Sequence, residues 1–179
     1  MSNDQRHWLN INRAPVLTLW AAIVAERLGF NRDESLTLGR AVAGLNAYSK
    51  GKALGLFKPT PAKVKEQRKK LKPADAVKID LLGRAVDAVH TDAGLRALSK
   101  NKPITPESVE KYLFKKFGDA LDDARSAMEA LAKSYSPGDI AREGYNLYAD
   151  FRPAVEAGVK GWGAEGRLSL DQIRELSKH

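Results

Sequence analysis

The chain has 179 residues, of which 43% are hydrophobic and 29% are charged, and it contains no cysteine. A chain of this length can bury a core as one domain without covalent cross-links, and the lack of cysteine excludes disulfides, thiolate zinc sites and cysteine nucleophiles. The polar N-terminus and the lack of any apolar run near the roughly 20 residues that span a bilayer predict a cytoplasmic protein without a transmembrane segment.

Two helices are predicted in the first fifty residues. Residues 15–28 are apolar on nearly all sides and begin with a proline, which predicts a buried central helix that ends at Gly29. Asn31 and Glu34 form an N-terminal capping pattern for a second helix that runs towards Tyr48. Because only a short turn separates them, the two helices are predicted to form an αα-hairpin.

The next segments are a basic helix and an ambiguous stretch. Thr60 and Pro61 are typical of a helix start, although the apolar face of the helix that would follow is thin. Residues 77–90 begin with alternating apolar residues, and Gly83-Arg84 could form a two-residue hairpin turn, but a helical stripe fits almost as well. We favour the hairpin because a glycine would weaken a helix at this position.

Capping residues mark the helices of the C-terminal half, and apolar residues recur at helical spacing between them. Thr105 precedes one helix, Gly118 ends it, Ser136 begins another, and Ser169 precedes the last. The sequence therefore predicts a mainly α, compact helical domain of about six or seven helices, with one small β-hairpin as an option near 77–90. In this single domain of residues 1–179, the predicted segments outside the helical frame are an N-terminal arm (1–13), a basic loop and helix (47–72) and a Gly-rich loop before the C-terminal helix (152–168).

The net charge of +8 is concentrated in residues 47–72. Nine basic residues and one acidic residue lie there, whereas the other 153 residues hold 21 of each sign. A local excess of this kind attracts polyanions, whereas evenly spread charge mainly favours solubility. The candidate nucleic-acid-binding residues are Lys50, Lys52, Lys58, Lys63, Lys65, Arg68, Lys69, Lys70 and Lys72.

Two partial motifs fail on spacing or ligands. Gly51-Lys52 resembles the end of a phosphate-binding P-loop, but Ala53 replaces the required hydroxyl residue and the upstream glycine lies too far away. Residues 161–172 resemble a calcium loop, but glycines occupy two ligand positions and Gln172 stands where a bidentate glutamate is needed. A tight glycine turn with Trp162 packed beneath it fits this stretch better.

No metal site, cofactor or catalytic residue is predicted. The three histidines lie far apart in sequence, and no hydrolase elbow, zinc-protease motif or dinucleotide fingerprint is present. Whether the protein is an enzyme stays open, with the balance towards a non-enzyme, because catalytic residues can converge from distant positions.

The basic stretch carries the functional prediction. On a helix, Lys65, Arg68, Lys69 and Lys72 would share one face, and lysine outnumbers arginine eight to one in 47–72. Lysine suits phosphate contact rather than base reading, so we expect low-specificity nucleic-acid binding. The alternative is a non-catalytic helical protein-protein interaction module. The same charge is also compatible with solvated surface, an acidic protein partner or membrane headgroups.

Overall fold

The α1–α2 hairpin lies at the centre of the fold. The computed structural model describes residues 8–53, 75–154 and 165–177, with side chains throughout except at 47–53 and 165. Helix α1 spans Arg13–Arg27, and α2 spans Arg32–Ala53. Every residue from 15 to 25 is buried, as expected for a helix that is apolar on all sides. The prediction of a buried central helix in a helical hairpin is therefore confirmed.

The predicted cap of α2 is present with both of its hydrogen bonds. The Glu34 backbone N–H donates to Asn31 Oδ1 at 2.9 Å, and the Asn31 backbone N–H donates to Glu34 Oε1 at 3.1 Å. This reciprocal pair satisfies donors that the first turn of a helix otherwise leaves unpaired. The second helix therefore begins where the sequence predicts it.

Helices α1 and α2 are in close contact at Gly39. A Cβ atom at this position would lie 2.4 Å from the Thr18 carbonyl oxygen and 2.8 Å from the Ala22 nitrogen. Both are backbone atoms of α1, so the helices can approach this closely only because residue 39 has no side chain. A Cβ atom at Gly44 in the same helix would meet no described atom within 4 Å.

A four-stranded antiparallel sheet packs against α2, and its strands are adjacent in chain order. Leu82 and Gly83 connect the first two strands with φ angles of +50° and +77°, which is typical of a two-residue type I′ turn. The predicted hairpin is thus present, with its turn one residue earlier than expected. The strands are β2 Val77–Leu81, β3 Arg84–Thr91, β4 Gly94–Ser99 and β5 Lys102–Pro103.

Side chains of α2 bind the backbone of strand β4. The Ala97 N–H donates to Thr37 Oγ1 at 3.0 Å, and the Leu95 N–H donates to Glu34 Oε2 at 2.9 Å. The hydrogen bond from Leu95 holds the pKa of the Glu34 carboxyl below its usual value. These contacts hold the sheet against the first half of α2.

Three further helices pack around α1, joined in part by the 3₁₀ turn Gly118–Ala120: they are α3 Pro106–Phe117, α4 Leu121–Lys133 and α5 Pro137–Phe151. Ser136 caps α5 as predicted, since its Oγ accepts from the Asp139 N–H at 3.2 Å. The Trp20 indole of α1 donates to the Gly144 carbonyl of α5 at 2.9 Å and meets the Phe151 ring edge-on at 5.3 Å. The apolar stripes of these helices therefore face the central helix.

A two-stranded antiparallel ribbon joins the two ends of the described chain. Strand β1 (Trp8–Asn12) pairs with β6 (Glu165–Ser169), and α6 (Leu170–Glu175) follows directly. Ser169 Oγ accepts from the Gln172 N–H at 3.2 Å, as the predicted cap requires. The ribbon places residues of the expected N-terminal arm and Gly-rich loop in a sheet.

The prediction of a mainly α, all-helical domain with six or seven helices is wrong, because the described residues form a mixed α/β fold with two antiparallel sheets. Strand β4 shows why the sheet was missed. Its three central residues, Leu95, Arg96 and Ala97, are all buried, so it lacks the alternation by which a half-buried strand is recognised. The Arg96 guanidinium donates hydrogen bonds to the carbonyls of Leu95 and Ala93, so its charge can be buried. A charged residue in the middle of the strand also obscures the hydrophobic pattern in the sequence.

Candidate anion-binding site

Most of the predicted nucleic-acid-binding residues lie outside the described residues. Lys50 and Lys52 belong to the last turns of α2, whereas the other seven lie outside the described residues. The helix expected from Thr60-Pro61 and the turn expected at Trp162 also lie outside the described residues. Helix α2 thus carries the chain into the basic stretch. The seven outside residues are Lys58, Lys63, Lys65, Arg68, Lys69, Lys70 and Lys72.

The lysines of α3 lie at the other end of α2. Lys111 and Lys115 line a cleft with Arg32, the first residue of α2, and Arg32 is 3.8 Å from the Glu110 carboxylate. Eighteen residues separate Arg32 from Lys50, which is about 27 Å along a helix at 1.5 Å per residue. The α3 lysines therefore do not extend the surface at which α2 ends.

A group of polar side chains, linked by hydrogen bonds, a ring contact and charge interactions, includes Arg13 at the beginning of α1. We call this group the arginine–tyrosine cluster. Its residues come from four elements that are distant in sequence, and none was predicted as a site residue. The members are Arg13 of α1, Asn46 of α2, Arg84 of β3, Tyr145 and Tyr148 of α5, and Arg152 just after α5.

Asn46 has a buried side-chain amide whose oxygen is hydrogen-bonded. Its side chain is 1% exposed, and Oδ1 accepts from Arg84 Nη2 at 2.9 Å and from the Tyr145 hydroxyl at 3.5 Å. Since a guanidinium can only donate, the contact with Arg84 fixes which end of the amide is oxygen. Within the described residues, the buried Nδ2 has no hydrogen-bond partner. The nitrogen end of the amide therefore has two N–H donors that no described residue accepts.

Tyr148 places a second unpaired donor in the same cluster. The residue is 1% exposed, and its ring packs edge-on against Phe151 at 5.9 Å. The buried hydroxyl has no hydrogen-bond partner among the described residues. Burial raises the pKa of this phenol, although the charges of Arg13 and Arg152 oppose the rise. The hydroxyl is thus neutral at physiological pH and can donate a hydrogen bond.

Arg13 and Arg152 supply positive charge beside these donors. The Arg13 Nε donates to the Pro153 carbonyl at 3.0 Å. Burial lowers the pKa of Arg13, and the nearby charge of Arg152 lowers it further, whereas the groups that raise it are phenols and not carboxylates. Arg13 also opens α1, whose first turn contains no acidic residue, so the positive end of a helix dipole adds to the field. The cluster is therefore suited to an anion.

A cleft between α3, α4 and the start of α2 is the second candidate site. It encloses about 440 Å³, and the Phe114 ring at its edge is 65% exposed. Burial lowers the pKa of Arg125 in its wall, with Arg32 as the next cause. Four cations and one carboxylate surround the apolar floor. The lining residues are Arg32, Glu110, Lys111, Leu113, Phe114, Lys115, Leu121 and Arg125.

Only Asn46 left a sequence signal in the cluster. It follows Val42 by four residues, on the apolar stripe of α2, where a polar residue is unexpected. Arg152 follows a predicted helix C-terminus, where basic residues are common, and Arg13 lies in the predicted N-terminal arm, so the sequence does not distinguish either from a solvated arginine.

The chain matches no protein-family model, no curated protein and no solved structure. In the ranges that the structure describes, no helix is long and apolar enough to cross a membrane, and no group of three His, Cys, Asp or Glu residues could hold a metal ion.

Proposed function

We propose that the protein binds nucleic acid with low sequence specificity through the basic stretch of residues 47–72. The observation that supports this proposal is the continuity of two basic features. Helix α2 enters the basic stretch at Lys50, one helical turn after Asn46 of the arginine–tyrosine cluster. A polyanion that lies along the stretch would therefore meet the three arginines of the cluster at one end.

Phosphate contacts account for this mode of binding. Each lysine or arginine that neutralises a phosphate releases condensed counterions, so affinity falls as salt rises, with a slope of about −0.9 per contacted phosphate on duplex DNA. Lysine is a point charge without the planar fork that reads guanine. We therefore expect oligonucleotides of the same length and different sequence to bind with similar affinity.

Charge reversal provides the test. Fluorescence anisotropy would measure duplex and single-stranded oligonucleotide binding at several salt concentrations for the wild type and a variant with Lys65, Arg68, Lys69 and Lys72 changed to Glu. We expect the variant to lose measurable affinity at physiological salt. A matched control carries four exposed lysines changed to Glu on other elements, with the same change in net charge: Lys100, Lys102, Lys116 and Lys133.

The control variant should keep both affinity and salt slope if the basic stretch is the binding surface. Equal binding by the wild type and the four-site variant would refute the assignment. Equal losses in the two variants would show that total charge, and not this surface, determines binding.

A second candidate function is a protein-protein interaction module, favoured by the exposed Phe114 ring in the cationic cleft. The cleft would take an acidic segment that carries one apolar side chain. In that case a defined partner should copurify with the wild type and with the four-site variant but not with Phe114→Ser. Copurification that survives Phe114→Ser would remove the cleft as the contact surface.

A further inference from the structure

We propose that the arginine–tyrosine cluster is a discrete binding site for one phosphate group in its dianionic form, carried by inorganic phosphate or a phosphomonoester. This site does not depend on the basic stretch, since every residue that builds it lies among the described residues. The proposal concerns a single terminal phosphate, whereas the basic stretch would contact a chain of phosphodiesters.

The cluster contains two buried donors that no described residue accepts. Asn46 Nδ2 and the Tyr148 hydroxyl are both closed to solvent and have no partner within the described residues. Buried polar groups are nearly always hydrogen-bonded, so unpaired ones need an explanation. Nδ2 can only donate, and the Tyr148 hydroxyl can donate its proton, so an acceptor is a suitable partner for both groups. A phosphate oxygen is such an acceptor.

Positive charge is concentrated at Arg13 and Arg152. Arg152 lies close enough to Arg13 to lower the pKa of Arg13, and no carboxylate is among the groups that shift the pKa of Arg13 or Tyr148. Two neighbouring cations repel each other, and an anion between them relieves the repulsion. A phosphomonoester, with its second pKa near 6, carries close to two negative charges at neutral pH. Its charge therefore balances the pair.

Hydrogen bonds within the protein hold the donors in place. Arg84 and Tyr145 bind the oxygen end of the Asn46 amide, and the Pro153 carbonyl binds Arg13 at Nε. The terminal nitrogens of a guanidinium anchored in this way can still bind two phosphate oxygens. Arg13, Tyr145 and Arg152 are partly exposed, so a phosphate can approach them from solvent.

Thermal unfolding and calorimetry with inorganic phosphate test the site. Phosphate should raise the midpoint of thermal unfolding of the wild type above the midpoint measured in chloride at equal ionic strength. Tyr148→Phe keeps the packed ring and removes only the hydroxyl, so we expect phosphate affinity to fall roughly tenfold while stability without phosphate is unchanged or higher. Arg152→Gln should abolish the response. Arg142→Gln, on the same helix and paired with Asp139 on the surface, is the matched control and should respond as the wild type does.

No phosphate-dependent rise in the wild type would refute the proposal. So would equal affinities of the wild type, Tyr148→Phe and Arg152→Gln. The variant with Lys65, Arg68, Lys69 and Lys72 changed to Glu should still bind phosphate. Loss of phosphate binding can therefore be distinguished from loss of nucleic-acid binding by the basic stretch.

Two forms of one oligonucleotide identify the source of the phosphate. Tighter binding of a 5′-phosphorylated strand than of its 5′-hydroxyl form, lost in Arg152→Gln, would assign the site to a nucleic-acid end. Equal binding of both strands, together with binding of inorganic phosphate, would assign it to a small phosphorylated molecule.

Discussion

Replacing Gly39 with alanine tests the close contact of α1 and α2. The new Cβ atom would lie 2.4 Å from a backbone oxygen of Thr18, whereas ordinary contacts begin at 3.4 Å. One helix would therefore have to move by about 1 Å, and neither backbone can do so without disturbing the packed core around α1. Close packing thus predicts a loss of stability.

Two opposing terms give the size of this effect. Alanine in place of glycine favours a helix by about 1 kcal/mol. Overpacking a core costs about 1–3 kcal/mol, and the upper end applies here because the clashing atoms belong to the backbone. The net expectation for Gly39→Ala is a loss of about 2 kcal/mol, which lowers the thermal midpoint by about 4–8 °C in a chain of this size.

Gly44→Ala is the matched control in the same helix. Its Cβ atom would meet no described atom within 4 Å, so the helix-propensity term acts alone and should raise the midpoint by about 2–4 °C. Differential scanning calorimetry of the two variants and the wild type measures both shifts. A Gly39→Ala protein as stable as Gly44→Ala would refute the close approach of the helices.

Three further changes test other contacts. Thr37→Val removes the acceptor of the buried Ala97 N–H and should cost about 1–3 kcal/mol in urea unfolding, whereas Thr37→Ser should keep most of the stability. Ser136→Ala removes the α5 cap and should cost about 1 kcal/mol, in contrast to Ser126→Ala at an exposed site on α4. The pKa of Glu34 is lower in the folded protein than its ordinary value of 4.5, so ionised Glu34 stabilises the fold at pH values above 4.5. This stabilisation is lost as the pH falls through the lowered folded-state pKa. Acid titrations of the wild type and Glu34→Gln should therefore converge. Equal stability of Thr37→Val and Thr37→Ser would contradict the bond to Ala97, and equal stability of Ser136→Ala and Ser126→Ala would contradict the cap. A stability difference between the wild type and Glu34→Gln that stays constant in acid would contradict the Glu34 contacts.

The helices could be predicted because their signals are local. The Asn31–Glu34 box and the Ser136 cap are within a few residues of the turns they stabilise, and both are present in the structure. The hairpin of residues 77–90 could also be predicted, because its glycine lies in the turn itself. Signals within one helical turn or one hairpin thus identify their elements reliably.

The β1–β6 ribbon depends on a contact between distant residues. β1 has a partner only because β6, more than 150 residues later, returns to it, and no local pattern indicates that pairing. The arginine–tyrosine cluster has the same origin, since Arg13, Asn46 and Tyr148 meet only after three helices have packed. By contrast, the basic stretch is visible as composition alone, so the sequence predicts that candidate but not the arginine–tyrosine cluster.

The pairing of β1 with β6 also sets an order for folding during synthesis. Residues 8–12 leave the ribosome early, but their partner strand spans Glu165–Ser169. At 5–20 residues per second, roughly 8–30 s separate the appearance of the two strands. During that interval the α1–α2 hairpin and the β2–β5 sheet can form from local contacts, whereas β1 has unpaired edges. The β1–β6 ribbon can therefore form only after residue 169 has left the ribosome.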